Sequence, residues 1–341
     1  MTIEGRVLPD WAPYAAASSS AGLAALLLLA AGAFSVALLL LATAAIACIV
    51  TYAWSHAVEG SRRAKDRLVT LLIVSAFALA LIPLLSLLFE VAKRGLPGLS
   101  LEFLTSDARG KIDGGGAAHA LVGTLVITGV AALISVPVGL MAAIYLTEYG
   151  EGKLRRALTF FVDVMTGIPS IVAGLFAYAL FALIFGPGIR LGVMGSVALS
   201  VLMIPIVIRA SEEVLKIVPN HLREAAYALG TPKWKTITRV VLPTAFAGLV
   251  TGVMIAIARI IGETAPLLVT TGVVDSINAN PFEGRMQNLA VYAYSEYRTP
   301  GVFKEASYDR AWAAALTLIV IVMVLNLVAR LIYRRYRTET R

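Results

Sequence analysis

Long apolar runs constrain this chain more than any other feature. Several of them exceed the roughly 18–20 residues that an α-helix needs to cross the hydrocarbon core of a bilayer. Because lipid offers the backbone no hydrogen-bonding partner, only helices and closed barrels span membranes. The chain of 341 residues is 59 % hydrophobic and has a mean hydropathy of +0.83, well above that of a soluble domain. The sequence therefore predicts an all-α polytopic membrane protein.

The apolar pattern predicts eight spans. The first run is about twice as long as one span requires, so we divide it at 32–35 into a hairpin of two helices. One long tilted helix is the alternative. In the fifth span, Gly167-Ile168-Pro169 indicates a break, because proline interrupts helices. The predicted spans are 13–31, 36–54, 68–91, 119–146, 158–185, 190–209, 244–272 and 309–332.

These spans form two parts. Residues 1–67 comprise a polar tail, the two-helix hairpin and a basic loop, whereas residues 68–341 comprise a six-helix core with a basic C-terminal tail. Lysine and arginine accumulate on the cytoplasmic side of membrane proteins. Placing both termini in the cytoplasm puts most of the 29 lysines and arginines there, and it puts the polar connections 92–118 and 273–308 outside.

The sequence contains no recognisable catalytic or metal-binding pattern. It lacks the phosphate-binding loop of ATPases, a nucleophile elbow and an HExxH zinc motif. His56, His119 and His221 are scattered, and Cys48 is the only cysteine, so we expect no disulfide within the chain and no metal site. The basic residues are spread over the loops between spans, which gives no reason to expect nucleic acid as a partner. We expect a protein that is not an enzyme.

A polar, amphipathic stretch interrupts the apolar runs on the cytoplasmic side. Its sequence, EAAYALGTPKWKTITRVVLP, begins at Glu224. Leu222, Ala225, Ala226 and Leu229 recur at helical spacing, which predicts a short helix with one apolar face, followed by a turn and a second helix. By this pattern alone, an ordinary cytoplasmic loop is an equally good interpretation.

The order of residues in this stretch resembles the EAA loop of ABC-importer permeases. In that family the loop is a coupling helix that docks into a groove on an ATPase subunit. The resemblance implies that Glu224 pairs with a basic group on the ATPase, while small alanines permit close docking. The resemblance to the EAA loop rests on Glu224, Ala225, Ala226, Gly230, Leu242 and Pro243.

Two charged residues lie within the apolar seventh span. Arg259 and Glu263 are four residues apart near its middle, and hence on one face of a continuous helix. A charge at bilayer depth costs a few kcal/mol, so it usually faces a partner or an aqueous path. One interpretation is a structural ion pair between packed helices. The other is an anion site, in which Glu263 holds the planar donor group of Arg259 and weakens anion binding enough for release.

Three longer segments indicate which kind of ABC-importer permease the chain resembles. VDVMTGIPSIVAGLF, MIPIVIRASEEVLKIVPNHLREAAYALG and ARIIGETAPLLVTTG resemble the PstA-type permease subunit of bacterial phosphate ABC importers, over about residues 68–335. This resemblance implies that Arg209, Arg259 and Glu263 take part in transport. Arg209 can equally be an anchor at the cytoplasmic end of its helix, and Asp163 is better read as a capping or salt-bridging residue than as a site.

The resemblance implies one permease half of an ATP-driven phosphate importer in the bacterial inner membrane. The implied partners are a PstC-type permease, two ATPase copies and an extracytoplasmic phosphate-binding protein. It implies no cofactor on this chain, because ATP and magnesium belong to the ATPase. The alternatives are a permease for another oxyanion, such as sulfate or molybdate, an ion-coupled secondary transporter and a non-transporting scaffold.

The orientation can be tested by labelling. In a Cys48→Ser background, a cysteine introduced at position 115 should react with a membrane-impermeant reagent added from outside, because the lysine and arginine bias places 92–118 there. A cysteine in the loop 56–67 is the control and should react only from the cytoplasmic side. Labelling of position 115 from the cytoplasmic side alone contradicts the predicted topology.

Overall fold

The computed structural model describes residues 7–9, 11–110 and 115–336, and in these ranges every regular element is helical. The start of the tail (1–6) and the end of the basic C-terminus (337–341) lie outside the described residues. The long helices are α1 (Ala12–Ala30), α2 (Val36–Glu59), α3 (Ser61–Gly98), α5 (Ala118–Ile144), α6 (Gly152–Thr166), α7 (Ser170–Phe185), α8 (Gly192–Ile217), α11 (Leu242–Ile260) and α14 (Lys304–Tyr336). The short helices are α4 (Leu101–Thr105), α9 (Asn220–Ala228), α10 (Lys233–Thr236), α12 (Ala265–Thr270) and α13 (Leu289–Arg298), and π-helical turns cover Tyr145–Tyr149 and Ile237–Val241.

Within the described ranges, seven helical segments are long and apolar enough to cross a membrane, and α6 with α7 makes an eighth if the bent pair is one span. The polytopic all-α prediction is thereby confirmed. The contacts between residues divide the chain into two compact units, Met1–Glu90 and Val91–Arg341. This boundary falls inside α3, which is longer than the predicted span because helix continues through its polar ends. A functional division at 67/68 stays a prediction.

In the first unit, α1 and α2 form a hairpin. Gly32 has a φ of +65°, which only glycine adopts at little cost, and the helices stop on either side of it. At the other end of the hairpin, Trp11 packs edge-on against Trp54, with 6.2 Å between ring centroids. The buried carboxylate of Glu59 accepts a hydrogen bond from the backbone N–H of Leu8 at 2.8 Å. The hairpin prediction is correct, and one long helix is excluded.

In the second unit, α8 is the most buried of the long apolar helices and packs along α5. The hydroxyl of Ser196 donates to the carbonyl of Ile127 at 3.0 Å, and the hydroxyl of Ser200 donates to that of Ala131 at 3.4 Å. Small hydroxyl side chains at a helix interface permit close backbone approach and join the helices by hydrogen bonds. These two helices form the frame on which the candidate sites are built.

Two predicted spans are broken rather than straight. The fifth consists of α6 and α7, which meet at an angle of 106° at the predicted Gly167–Pro169 break. In the seventh predicted span, α11 ends at Ile260. The next helix, α12, begins at Ala265 and has Pro266 in its first turn. Proline lacks a backbone N–H and fits the first turn of a helix, so it marks a restart there.

The contact between α5 and the segment before α13 generates a stability prediction. A Cβ atom on Gly123 would lie 2.0 Å from the backbone carbonyl oxygen of Gln287, whereas one on Gly129 in the same helix would meet no atom within 4 Å. We expect Gly123→Ala to lower the free energy of unfolding by about 1–3 kcal/mol through overpacking. Gly129→Ala is the matched control and should be neutral or slightly stabilising. Thermal unfolding in detergent measures both, and equal melting temperatures contradict the prediction.

Candidate translocation and coupling sites

A cavity of about 300 Å³ lies where the two broken spans meet α8. Its charged residues are Arg259, in the last turn of α11, and Glu263, in the turn between α11 and α12. The remaining lining residues are apolar or carry hydroxyls: Met165, Thr166, Ile168, Ser170, Leu202, Pro205, Ile206 and Ile260. The cavity therefore presents one ion pair in otherwise uncharged surroundings.

The predicted pairing of Arg259 with Glu263 is present, but its setting differs from the prediction. The guanidinium Nη1 contacts the carboxylate Oε1 across the helix end, not along one face of a continuous helix. The Arg259 side chain is 65 % exposed and that of Glu263 only 14 %. The backbone carbonyl of Glu263 also accepts a hydrogen bond from Asn288 Nδ2 at 3.3 Å. The covered acid is thus anchored, while the arginine head stays accessible.

The helix break beside this pair is held by close packing. A Cβ atom on Gly174 of α7 would lie 2.6 Å from Cα of Pro266 in α12, so glycine is required where the two segments touch. At Gly262, between α11 and α12, an added Cβ atom would meet only Leu318 of α14, at 3.7 Å. Irregular backbone at membrane depth is tolerated where protein surrounds it or where it lines a cavity. Both conditions hold at this break.

Arg209 lies in a different cavity from Arg259. Its guanidinium contacts the carboxylate of Asp163 on α6 and donates to Glu212 at 2.8 Å, and Glu212 also accepts from Lys216 at 2.7 Å. This cluster lines a cavity of about 640 Å³ along α6 and at the C-terminal end of α8. Asp163 is therefore a salt-bridging residue, as predicted. Arg209 joins two helices, and its role in transport stays a prediction.

The predicted coupling stretch forms a helix, a turn and a second helix. Gly230 follows α9 with a φ of +73°, as a C-terminal capping glycine does. Leu242 and Pro243 begin α11, which continues into the apolar span. The short helix and its glycine turn are confirmed. The preceding π-helical turn at Ile237–Val241 was not predicted.

The predicted apolar face of α9 is divided between two directions. Ala226 is buried and Leu222 is half-buried, whereas Ala225 is exposed and Leu229, just after the helix, is 86 % exposed. The prediction is of an apolar face, and within this chain only part of that face is covered. Glu224 is also exposed, so its side chain and that of Leu229 are both accessible from outside this chain.

Sequence reasoning missed one ion pair at the coupling helix. Arg223 of α9 donates to Glu148 at 2.7 Å, and their side chains are only 13 % and 6 % exposed. The two residues are 75 positions apart, and nothing in the local pattern of either predicts the contact. The sequence therefore offered no signal for this contact beyond the two opposite charges themselves.

Comparisons with known proteins decide the family. Residues 135–339 match the family model described as binding-protein-dependent transport system inner membrane component. A relative from Mycobacterium tuberculosis (strain CDC 1551 / Oshkosh), named phosphate transport system permease protein PstA 1, is 46 % identical over 80 % of this chain and 89 % of its own length. The Pasteurella multocida protein named PstA is 37 % identical over 80 % of this chain and 95 % of its own length. The chain belongs to the PstA family of importer permeases.

A solved structure supports the fold of this PstA-family chain. The crystal structure of a bacterial alginate ABC transporter, in complex with a periplasmic protein bound to an alginate pentasaccharide, contains a chain with a TM-score of 0.58 and 15 % identity. The match covers 80 % of this chain and 96 % of that one. The ABC-importer permease fold is therefore established, and the residues of both candidate sites lie within the region that matches the family model.

The accessible Arg259 generates a prediction about transport. We expect Arg259→Gln to abolish uptake by the assembled complex, because side-chain donors remain while the positive charge is lost. Arg259→Lys should restore uptake only in part, since an ammonium lacks the planar donor fork. Uptake per assembled complex is the measurement. If the pair is purely structural, Arg259→Gln will instead lower the amount of complex, and the double variant Arg259→Gln with Glu263→Gln will restore full uptake.

Proposed function

We propose that the chain is one permease half of an ATP-driven phosphate importer, with Arg259 lining the translocation pathway. The observation that carries the proposal is the ion pair at the helix break, with its acid covered and its arginine open to a cavity. An ion pair with so exposed a cation contributes at most about 1 kcal/mol to stability, so structural need alone does not account for it. The guanidinium fork matches the geometry of a tetrahedral oxyanion.

Glu263 determines how strongly Arg259 binds an anion. A free arginine in a cavity of low polarity would bind a phosphate anion tightly and release it slowly. A carboxylate already paired with Arg259 competes for the same donors and repels the anion, which lowers affinity and favours release. Phosphate is the preferred cargo because the relatives at 37–46 % identity are named phosphate transport system permeases.

The partners follow from the same proposal. A PstC-type permease supplies the other half of the pathway, an extracytoplasmic phosphate-binding protein delivers the anion, and an ATPase dimer docks on the exposed Glu224 and Leu229 at α9. This chain is a permease subunit and not an enzyme, and ATP with magnesium binds the ATPase. Both termini and α9 face the cytoplasm, which agrees with the distribution of lysine and arginine.

Reconstitution in proteoliposomes tests the proposal. The complex of this chain with a PstC-type permease and an ATPase should take up radiolabelled phosphate only with ATP inside and the binding protein outside. Excess sulfate or molybdate should not compete. Preferential uptake of sulfate or molybdate contradicts the assignment of cargo. Uptake driven by an ion gradient without ATP indicates a secondary transporter and overturns the proposal.

A further inference from the structure

The largely covered side chain of Arg223 joins the coupling helix to the transmembrane core. Its Nη2 atom donates to Glu148 Oε1 at 2.7 Å and to the carbonyl of Leu215 at 3.0 Å, and its Nη1 atom donates to the carbonyl of Val218 at 2.6 Å. Leu215 lies in the last turn of α8 and Val218 follows it, and the Leu215 carbonyl also accepts a hydrogen bond from the Val218 N–H at 3.3 Å. One side chain of α9 therefore bonds to the end of α8 and to the turn that follows α5.

A second contact reaches the same turn from the other side of the coupling loop. The Nζ atom of Lys233, in α10, lies 5.0 Å from the ring centroid of Tyr149, within the range of a cation–π interaction. Glu148 and Tyr149 are neighbours in the π-helical turn Tyr145–Tyr149. Such turns are rare and occur frequently at functional sites. Both helices of the coupling loop thus hold one irregular turn at the end of α5.

From this turn, α5 leads through the core to the opposite end of the unit. Its side chains pack against α8 over most of their shared length. Near its start, Thr124 Oγ1 accepts a hydrogen bond from the backbone N–H of Leu289, at the first residue of α13, at 2.8 Å. A helix fixed at both ends by polar contacts transmits displacement along its axis, because packed helices move as rigid elements.

We propose that the Arg223–Glu148 pair is the positioning contact that makes the coupling helix and α5 move as one body. On this assignment Glu224 and Leu229 face the ATPase, while the adjacent Arg223 faces the core and passes the movement inward. The inference rests on the proposed function, since it requires an ATPase that moves α9. Breaking a largely buried ion pair leaves one charge without its partner, which disfavours separation of α9 from the end of α5.

The test measures phosphate transported per ATP hydrolysed, by equal amounts of assembled complex in proteoliposomes. We expect Arg223→Gln and Glu148→Gln each to retain ATP hydrolysis, because the exposed docking face is intact, and to lower the ratio about tenfold or more, as loss of coupling between two sites does. The reversal Arg223→Glu with Glu148→Arg should recover the ratio in part. Recovery is incomplete because the carbonyls of Leu215 and Val218 lose their donor.

A matched control lies in the same unit, away from the coupling loop. Arg310 of α14 and Glu296 of α13 form an ion pair at 2.9 Å, with side chains 17 % and 22 % exposed. Glu296→Gln removes a pair of comparable burial and should leave the ratio unchanged. Glu224→Lys is the second comparison and should prevent the ATPase from binding at all, which separates loss of docking from loss of transmission.

The outcomes are distinct. If wild-type complex does not take up phosphate with ATP, the proposed function fails. If wild-type uptake is normal and Arg223→Gln keeps the wild-type ratio in whatever complex assembles, the pair is only structural and the inference is overturned. A reversal variant that recovers no coupling, although it assembles, also overturns it, because the pair then has no role as a pair.

Discussion

The absence of hydrogen-bonding partners in lipid governs the whole architecture. Each long helix satisfies its own backbone, and irregular backbone occurs where protein or a cavity surrounds it. The breaks at Gly167–Pro169 and between Ile260 and Ala265 obey this constraint, since both border the cavity that holds Arg259. Arg259 lies in the last turn of α11, directly before the second break. The break gives it a recess in which charge is tolerable.

Three ion pairs of the second unit share one asymmetry, which the Arg209–Asp163 and Arg310–Glu296 pairs lack. At Glu263, Glu212 and Glu148 the carboxylate is more buried than its arginine, with exposed fractions of 14, 9 and 6 % against 65, 33 and 13 %. A buried carboxylate is a fixed point, whereas a guanidinium on a long side chain retains donors for a further partner. The degree of exposure then separates the roles. The exposed Arg259 lines the cavity, whereas the largely buried Arg223 holds helices together.

The features that depend on local sequence were predictable. Hydropathy located the spans, and Gly32, Gly167-Ile168-Pro169 and Gly230 marked turns because glycine and proline act through their own backbone. Features that depend on packing between distant parts of the chain could not be predicted from the sequence. The angle of 106° between α6 and α7 is set by neighbours. The contact of Arg223 with Glu148 joins residues far apart in the chain, and the outward direction of Leu229 depends on where α9 rests.

The sharp bend before α7 has a consequence for the surrounding bilayer. With 16 residues, α7 extends about 24 Å, several ångströms less than the roughly 30 Å thickness of a typical hydrocarbon core. Since α6 departs at 106°, it adds little to that reach and instead runs nearly along the membrane plane when α7 crosses it. Several of its apolar side chains, including Phe160 and Phe161, are exposed. A span this short is accommodated by local thinning of the bilayer, by flanking polar side chains or by packing against another helix, so the lipid environment of α7 differs from that of the longer spans.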